Sequence, residues 1–260
     1  MEAATGTVYR LDRGYVAVSG PEAAEFLERM VSNEVVSLEP GEARAALLLT
    51  PKSRIVAPLR VVRERAESFL LITEAALAAT VASTLLRARF AAKCEIELRP
   101  YRGYLQLGAG EGIRNEDYGV EASESWAVEE RDAGEPDEQL ERLRIEAGTP
   151  IWGRELDETI LPAEAGLDDT HVSFTKGCYP GQEPIARLHY RGRPNRRLRV
   201  IEVADARPGD EILFGDKTVG RVTSAVPGLA LGYVRREVDD DAELEIGGAE
   251  ARLHLATPRP

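Results

Sequence analysis

KGCYPGQEPIARLHYRGRPNRR, residues 176–197, separates two styles of sequence in this 260-residue chain. Past Asn195 the apolar residues fall into short β-type runs: RLRVIEV, EILF, KTVGRVTSAV, LALGYV, AELEI and ARLHLA, with a Gly215-Asp216 turn among them. Runs of that length, closely spaced and bounded by turn residues, predict an all-β module of about 65 residues, closed as a small barrel. Before residue 176 the pattern is mixed. TVYRLDRGYVAVSG is rich in β-formers, and PEAAEFLERMV follows with Pro21 placed for a helix start and Phe26 and Met30 on one face. RAALLLTP and SRIVAPLRVVRE read as paired strands around a Pro-Lys-Ser turn, and SFLLITE as a further strand. AALAATVASTLLRARF carries Leu77, Val81 and Leu85 at i, i+4 and i+8, an amphipathic helix, and KCEIEL returns as a strand with Cys94 in its core register. This order predicts a small antiparallel α+β unit over about residues 45–100. A helix then follows DAGEPDE, with Leu140, Leu143 and Ala147 inward and Gly148 and Pro150 ending it.

The quoted stretch also concentrates chemistry. Gly177 and Gly181 allow a tight turn around Cys178, and Pro184 is suited to the first turn of a short helix. Free backbone N–H groups are then expected near Gln182 and Glu183. A thiol beside the Lys176 ammonium and close to a helix N-terminus has a stabilised thiolate, the form that attacks and ligates. The other reading makes Cys178 a small hydrophobe packed in a tight loop. From Pro184 to Ile201 there is no acid, while Arg187, Arg191, Arg193, Arg196, Arg197 and Arg199 all occur. Such a run is either a solvated face or a site for a small polyanion or acidic partner, since guanidinium forks pair with carboxylates and phosphates. His171 and His189 flank the loop without an assigned role.

The net charge of −12 disfavours direct nucleic-acid binding. The N-terminal segment lacks a basic start followed by an apolar core, and no apolar run is long enough to span a bilayer; a cytoplasmic protein is expected. Two cysteines without CxxC give neither a disulfide framework nor a zinc signature, so no metal site is expected from this chain alone.

Residues 142–198, RLRIEAGTPIWGRELDETILPAEAGLDDTHVSFTKGCYPGQEPIARLHYRGRPNRRL, resemble the signature region of the YgfZ/GcvT family, and KGCYxGQE resembles its YgfZ branch. Residues 16–55 are similar to the family's N-terminal opening, and VGRVTSAVPGLALGYVRRE to its barrel. The resemblance implies an α+β fold: a ring of small α+β subdomains with a C-terminal β-barrel. Its parts would be a discontinuous folate-binding domain (1–45 plus 115–194), an inserted subdomain (46–114) and the barrel (195–260). It also implies a tetrahydrofolate-binding accessory factor in the assembly or repair of [4Fe–4S] proteins, tRNA-modifying enzymes included, rather than an enzyme. Cys178 would be the functional thiol, with Lys176 its neighbour. Glu146 would hold the pterin, Gln182 and Glu183 would lie at the cofactor, and Arg187 and Arg197 would receive the folate tail or an acidic partner. A carboxylate suits the pterin because it accepts two hydrogen bonds from an aminopyrimidine edge. Any iron–sulfur cluster would be transient or shared through Cys178 with assembly proteins or client enzymes. The alternative is a tetrahydrofolate-dependent aminomethyltransferase of the T-protein branch. That branch carries an aspartate pair where this chain has Ala57 and Pro58, neither of which can act as a base.

Overall fold

A computed structural model describes residues 6–254, so the first five and last six positions of the outer segments lie outside it. Three sheets organise the chain. The five-stranded sheet is antiparallel and runs β3 (Ala43–Leu49), β4 (Ile55–Arg65), β5 (Ser68–Glu74), β2 (Arg13–Ser19), β6 (Glu95–Arg99). Helices α1 (Ala23–Met30) and α2 (Ala78–Ala88) cover one face. Leu77, Val81 and Leu85 are buried there against Val16, Val18, Phe69 and Leu71, as the helical spacing predicts. Gly14 is needed for this packing, because a Cβ on it would lie 2.5 Å from the Ala78 side chain. Cys94 is buried in the same cluster, while Leu98 is 54% exposed at the sheet edge.

The second sheet has the order β1 (Val8–Leu11), β7 (Arg102–Leu107), β9 (Ala122–Ala127), β8 (Ile113–Arg114). Helix α3 (Glu138–Glu146) packs on it through Leu140, and Asp137 caps the helix by accepting from the Leu140 N–H at 2.9 Å. The third sheet closes as a six-stranded barrel: β10 (Arg196–Val203), β13 (Leu229–Arg235), β12 (Lys217–Val226), β11 (Glu211–Phe214), β14 (Glu243–Ile246), β15 (Ala249–Leu253), returning to β10. Strand β12 carries the expected alternation, with Val219, Val222, Ser224 and Val226 buried, and closure leaves no free sheet edge.

The sheet pairings draw a boundary other than residue 45. The strand 13–19 lies between β5 and β6, so the N-terminal strand and helix complete the unit read as an insertion. The reason is in β2 itself: Tyr15 to Val18 are all buried, the pattern of a strand flanked by strands and covered on both faces. Only the short strand 8–11 pairs with residues beyond 100. The strands 102–107, 113–114 and 122–127 were not legible, being short and interrupted by polar and glycine residues.

Candidate functional site

The three sheets line an open cavity of about 750 Å³, within the range of small-molecule and cofactor sites. All three sheets contribute to its walls. Leu11–Arg13, Pro58–Arg60 and Ile72–Glu74 come from β2, β4, β5 and their flanks, Glu124 from β9, Glu138–Arg144 from α3, and Ala225–Pro227 from the barrel. The segment after α3 closes it with Thr149–Trp152, Arg154, Leu167 and His171.

Much of the polar lining is paired internally. Glu124 is fully buried; its two oxygens accept from Arg13 Nε at 3.1 Å, Arg60 at 2.8 Å and the Asn115 amide at 2.7 Å. Asp117 meets the same two arginines at 3.2 and 3.1 Å, so two guanidinium groups are clamped between two carboxylates. Burial disfavours the Arg13 charge, but Glu124, Asp117 and Glu74 outweigh it and raise its pKa above the ordinary arginine value. Tyr118 beside them is pushed up to about 12, chiefly by burial.

A second network holds α3 to the barrel. Arg144 is buried; it donates to Glu141 at 2.7 and 2.9 Å, to Glu155 at 3.1 Å and to the Thr149 carbonyl at 2.6 Å. Glu155 is fully enclosed and also accepts from Ser224 Oγ of β12 at 2.7 Å. Arg154 reaches Glu141 at 2.7 Å. Burial works to raise the Glu141 pKa, yet Arg144 and Arg154 prevail and hold it below the usual carboxylate value.

The residues present fit a pterin. Leu11, Ile72, Trp152 and Leu167 give apolar walls, and Glu141, with three bonds to arginine nitrogens, keeps one acceptor position on Oε2 for an N–H of the pterin. Glu146 does not line this cavity. It sits one helical turn beyond Arg142, which pairs with it at 3.3 Å, and is 48% exposed. The four-residue period of α3 turns it away from the face that carries Glu141 and Arg144.

The KGCYPGQE loop lies outside the cavity lining, on another side of a shared wall. Tyr179 and Ile185 pack with Leu47, Leu49 and Ile55, and with Leu156 and Leu167, which also line the cavity. Cys178 is exposed, so the packed-hydrophobe reading does not hold for it. The Lys176 side chain, 1% exposed, points into the protein. Its ammonium donates to the carbonyls of Val31 at 3.0 Å and Asn33 at 2.7 Å and pairs with Glu28 at 3.2 Å, which commits all three of its protons. Burial depresses its pKa, with Glu28 opposing. Lys176 is thus a loop anchor, and its activating charge is spent on other partners. Helix α4 (Gln182–Arg191) starts two residues before Pro184, from Gly181 at φ +82°, where a Cβ would lie 2.5 Å from the Thr50 carbonyl. Gln182 and Glu183 occupy its first turn, and neither they nor Arg187 and Arg197 line the cavity. His189 stacks on Phe174 with ring centroids 3.8 Å apart, while His171 lines the cavity. Among the described residues no group of three or more His, Cys, Asp or Glu side chains is placed to hold a metal ion. Among them, too, no helix is long and apolar enough to cross a membrane.

Sequence reasoning missed Arg13, Arg60, Glu124, Glu141 and Arg144. The signal for Arg144 and Glu155 was their spacing on either side of the Gly148 helix stop; Arg13, Arg60 and Glu124 converge only through sheet pairing across more than sixty residues.

Comparison with known proteins matches residues 12–102 to the GCVT N-terminal domain and residues 195–259 to the CAF17 C-terminal β-barrel domain. An uncharacterized protein of Haemophilus influenzae is 26% identical over 226 residues, 81% of each chain. An aminomethyltransferase of Shouchella clausii is 25% identical, covering 93% of this chain and 82% of that one. The crystal structure of glycine cleavage system aminomethyltransferase T from Bartonella henselae superposes with a TM-score of 0.79 at 19% identity, over 96% of this chain and 85% of that chain. This last likeness is one of fold.

Proposed function

The chain belongs to the GcvT-like family, in its YgfZ branch, and from that we propose a tetrahydrofolate-binding accessory protein for the assembly or repair of [4Fe–4S] proteins, tRNA-modifying enzymes among them. The observation that carries this reading is the separation of two sites. One is a cavity in which Asp117, Glu124 and Glu141 are held by arginines; the other is an exposed thiol on an anchored loop outside it.

In the cavity, Glu141 would accept one N–H of the pterin through Oε2, taking over part of the role expected of Glu146. Trp152, Leu11, Ile72 and Leu167 would enclose the ring and exclude water. When bound, tetrahydrofolate supplies a carrier for a one-carbon unit and a reduced pterin. Cys178 would meet the cluster as a single ligand or redox partner, the remaining ligands coming from the client or assembly protein. The protein acts in the cytoplasm on this reading.

The aminomethyltransferase alternative draws on the fold likeness. It is weakened by Pro58, which lines the cavity where the transferase branch carries a carboxylate and has no group to take a proton.

The test removes the gene from its host and follows a [4Fe–4S] tRNA methylthiotransferase in extracts under oxidative stress. Activity should fall and return with the wild-type gene. Unchanged activity in the deletion strain contradicts the proposal. Tetrahydrofolate titration of purified protein, read by tryptophan fluorescence, checks the cavity separately, with Glu141→Ala expected to weaken binding at least about tenfold.

A further inference from the structure

Outside the cavity, a run of exposed arginines lies along α4 and the turn that follows it, with Glu183 in the first turn of the helix and Asp168 in electrostatic reach of Arg197. Arg187, Arg191, Arg193 and Arg197 are all exposed, and none has an acidic partner within 4 Å among the described residues. The other two arginines of the run differ. Arg196 pairs with Glu164 at 3.0 Å and Arg199 with Asp240 at 2.7 Å. Arg187 and Arg191 are four residues apart and share a helical face with Tyr190, whose ring is 68% exposed. That ring stands edge-on to His189, at 5.0 Å, and to Phe174, at 6.0 Å, so it is held in place. The opposite face of α4 is anchored by Ile185 in the core.

We propose that this face of α4 and its following turn is the docking surface for an acidic segment of a partner protein, seated so that the partner also covers Cys178. Charge complementarity selects the occupant. The chain as a whole carries −12, so an acidic protein is repelled elsewhere and attracted here, which fixes orientation as well as affinity. Arginine and tyrosine are enriched among the residues that carry interface energy. Cys178 lies four residues before the first residue of α4 and Arg191 at its C-terminal end; the helix itself, ten residues at 1.5 Å each, spans about 15 Å. A surface of ordinary interface size spans that distance. This inference deepens the accessory-factor reading and rests on it for the kind of partner.

The experiment uses the intact protein and a fluorescein-labelled peptide of about a dozen alternating acidic and apolar residues, read by anisotropy. Wild type should bind it, and binding should weaken steeply between about 0.05 and 0.3 M salt. The combined Arg187→Gln, Arg191→Gln, Arg193→Gln and Arg197→Gln variant should lose at least about tenfold in affinity while staying folded at the assay temperature, since the only folded-state interaction given up is that of Arg197 with Asp168. Arg114→Gln, an exposed arginine elsewhere, should bind as wild type. Equal binding by the fourfold variant overturns the proposal. Tighter, arginine-dependent binding of a single-stranded RNA of the same length also overturns it, reassigning the face to nucleic acid. The assay holds no folate, cluster or client, and Cys178→Ser should bind the peptide normally. A failed patch and a failed accessory function therefore give different results.

Discussion

Ser53 Oγ donates a 2.6 Å hydrogen bond to the Gly181 carbonyl, joining the β3–β4 turn to the start of α4 across 128 positions. Both residues stand at positive φ, Ser53 at 61° and Gly181 at 82°, and Gly181 fits only because it has no Cβ to strike the Thr50 carbonyl. The loop bearing Cys178 is thus clamped at both ends, by Gly181 on the 50–54 turn and by Lys176 on the 31–33 segment. A fixed backbone presenting an exposed thiol is the arrangement that preorganised ligation requires.

Gly181→Ala should therefore destabilise the protein by roughly 1–3 kcal/mol from backbone strain alone, more once the Thr50 contact is counted. Urea unfolding measures it. Limited proteolysis should cut first within 176–181, and a variant as stable as wild type would refute the clamp.

Lys176→Met separates anchoring from activation. Removing the ammonium takes the side-chain donor from the Val31 and Asn33 carbonyls and leaves Glu28 with only the Val35 and Val36 N–H groups, a loss of about 2–4 kcal/mol. The alkylation rate of Cys178 by iodoacetamide in the folded variant should stay within about twofold of wild type. A tenfold slower reaction would restore the lysine to a thiolate-stabilising role.

Glu124→Leu should cost about 3–5 kcal/mol, because it strands Arg13 and Arg60 beside a single half-buried aspartate. Thermal unfolding reads the loss. A neutral outcome would mean that Asp117 alone balances both guanidinium groups.

Acid stability should depend on Glu141. Its pKa in the folded chain lies below the ordinary carboxylate value of about 4.3. Its contribution is therefore complete above that value and is lost as pH falls through the lower, folded one. Glu141→Gln should start less stable at neutral pH and decline less steeply below about pH 4.3. Parallel curves for the two proteins would contradict the assignment.

What could be read from the sequence follows from range of interaction. The barrel, α2 and the α3 stop are encoded locally, in alternation, in the Leu77-Val81-Leu85 spacing and in Gly148-Pro150. The quoted stretch singles out Cys178 because its glycines and cysteine are adjacent in sequence, but whether the thiol is packed or exposed is decided by the fold. The carboxylate facing the cavity was misplaced by five residues on α3, since which face of a mostly polar helix turns inward is decided by Arg144 meeting Glu155 and the barrel. Lys176 looked like a neighbour of Cys178 in one dimension. In three dimensions the lysine is drawn inward by the Val31 and Asn33 carbonyls and Glu28, while Cys178 stays exposed.

The most direct measurement is rescue of [4Fe–4S] tRNA methylthiotransferase activity in the deletion host by wild type, Cys178→Ser and Pro58→Asp. Wild type and Pro58→Asp should restore activity under oxidative stress, and Cys178→Ser should not, although it folds and binds tetrahydrofolate. Full rescue by Cys178→Ser would contradict the account, leaving the thiol without a part in the function.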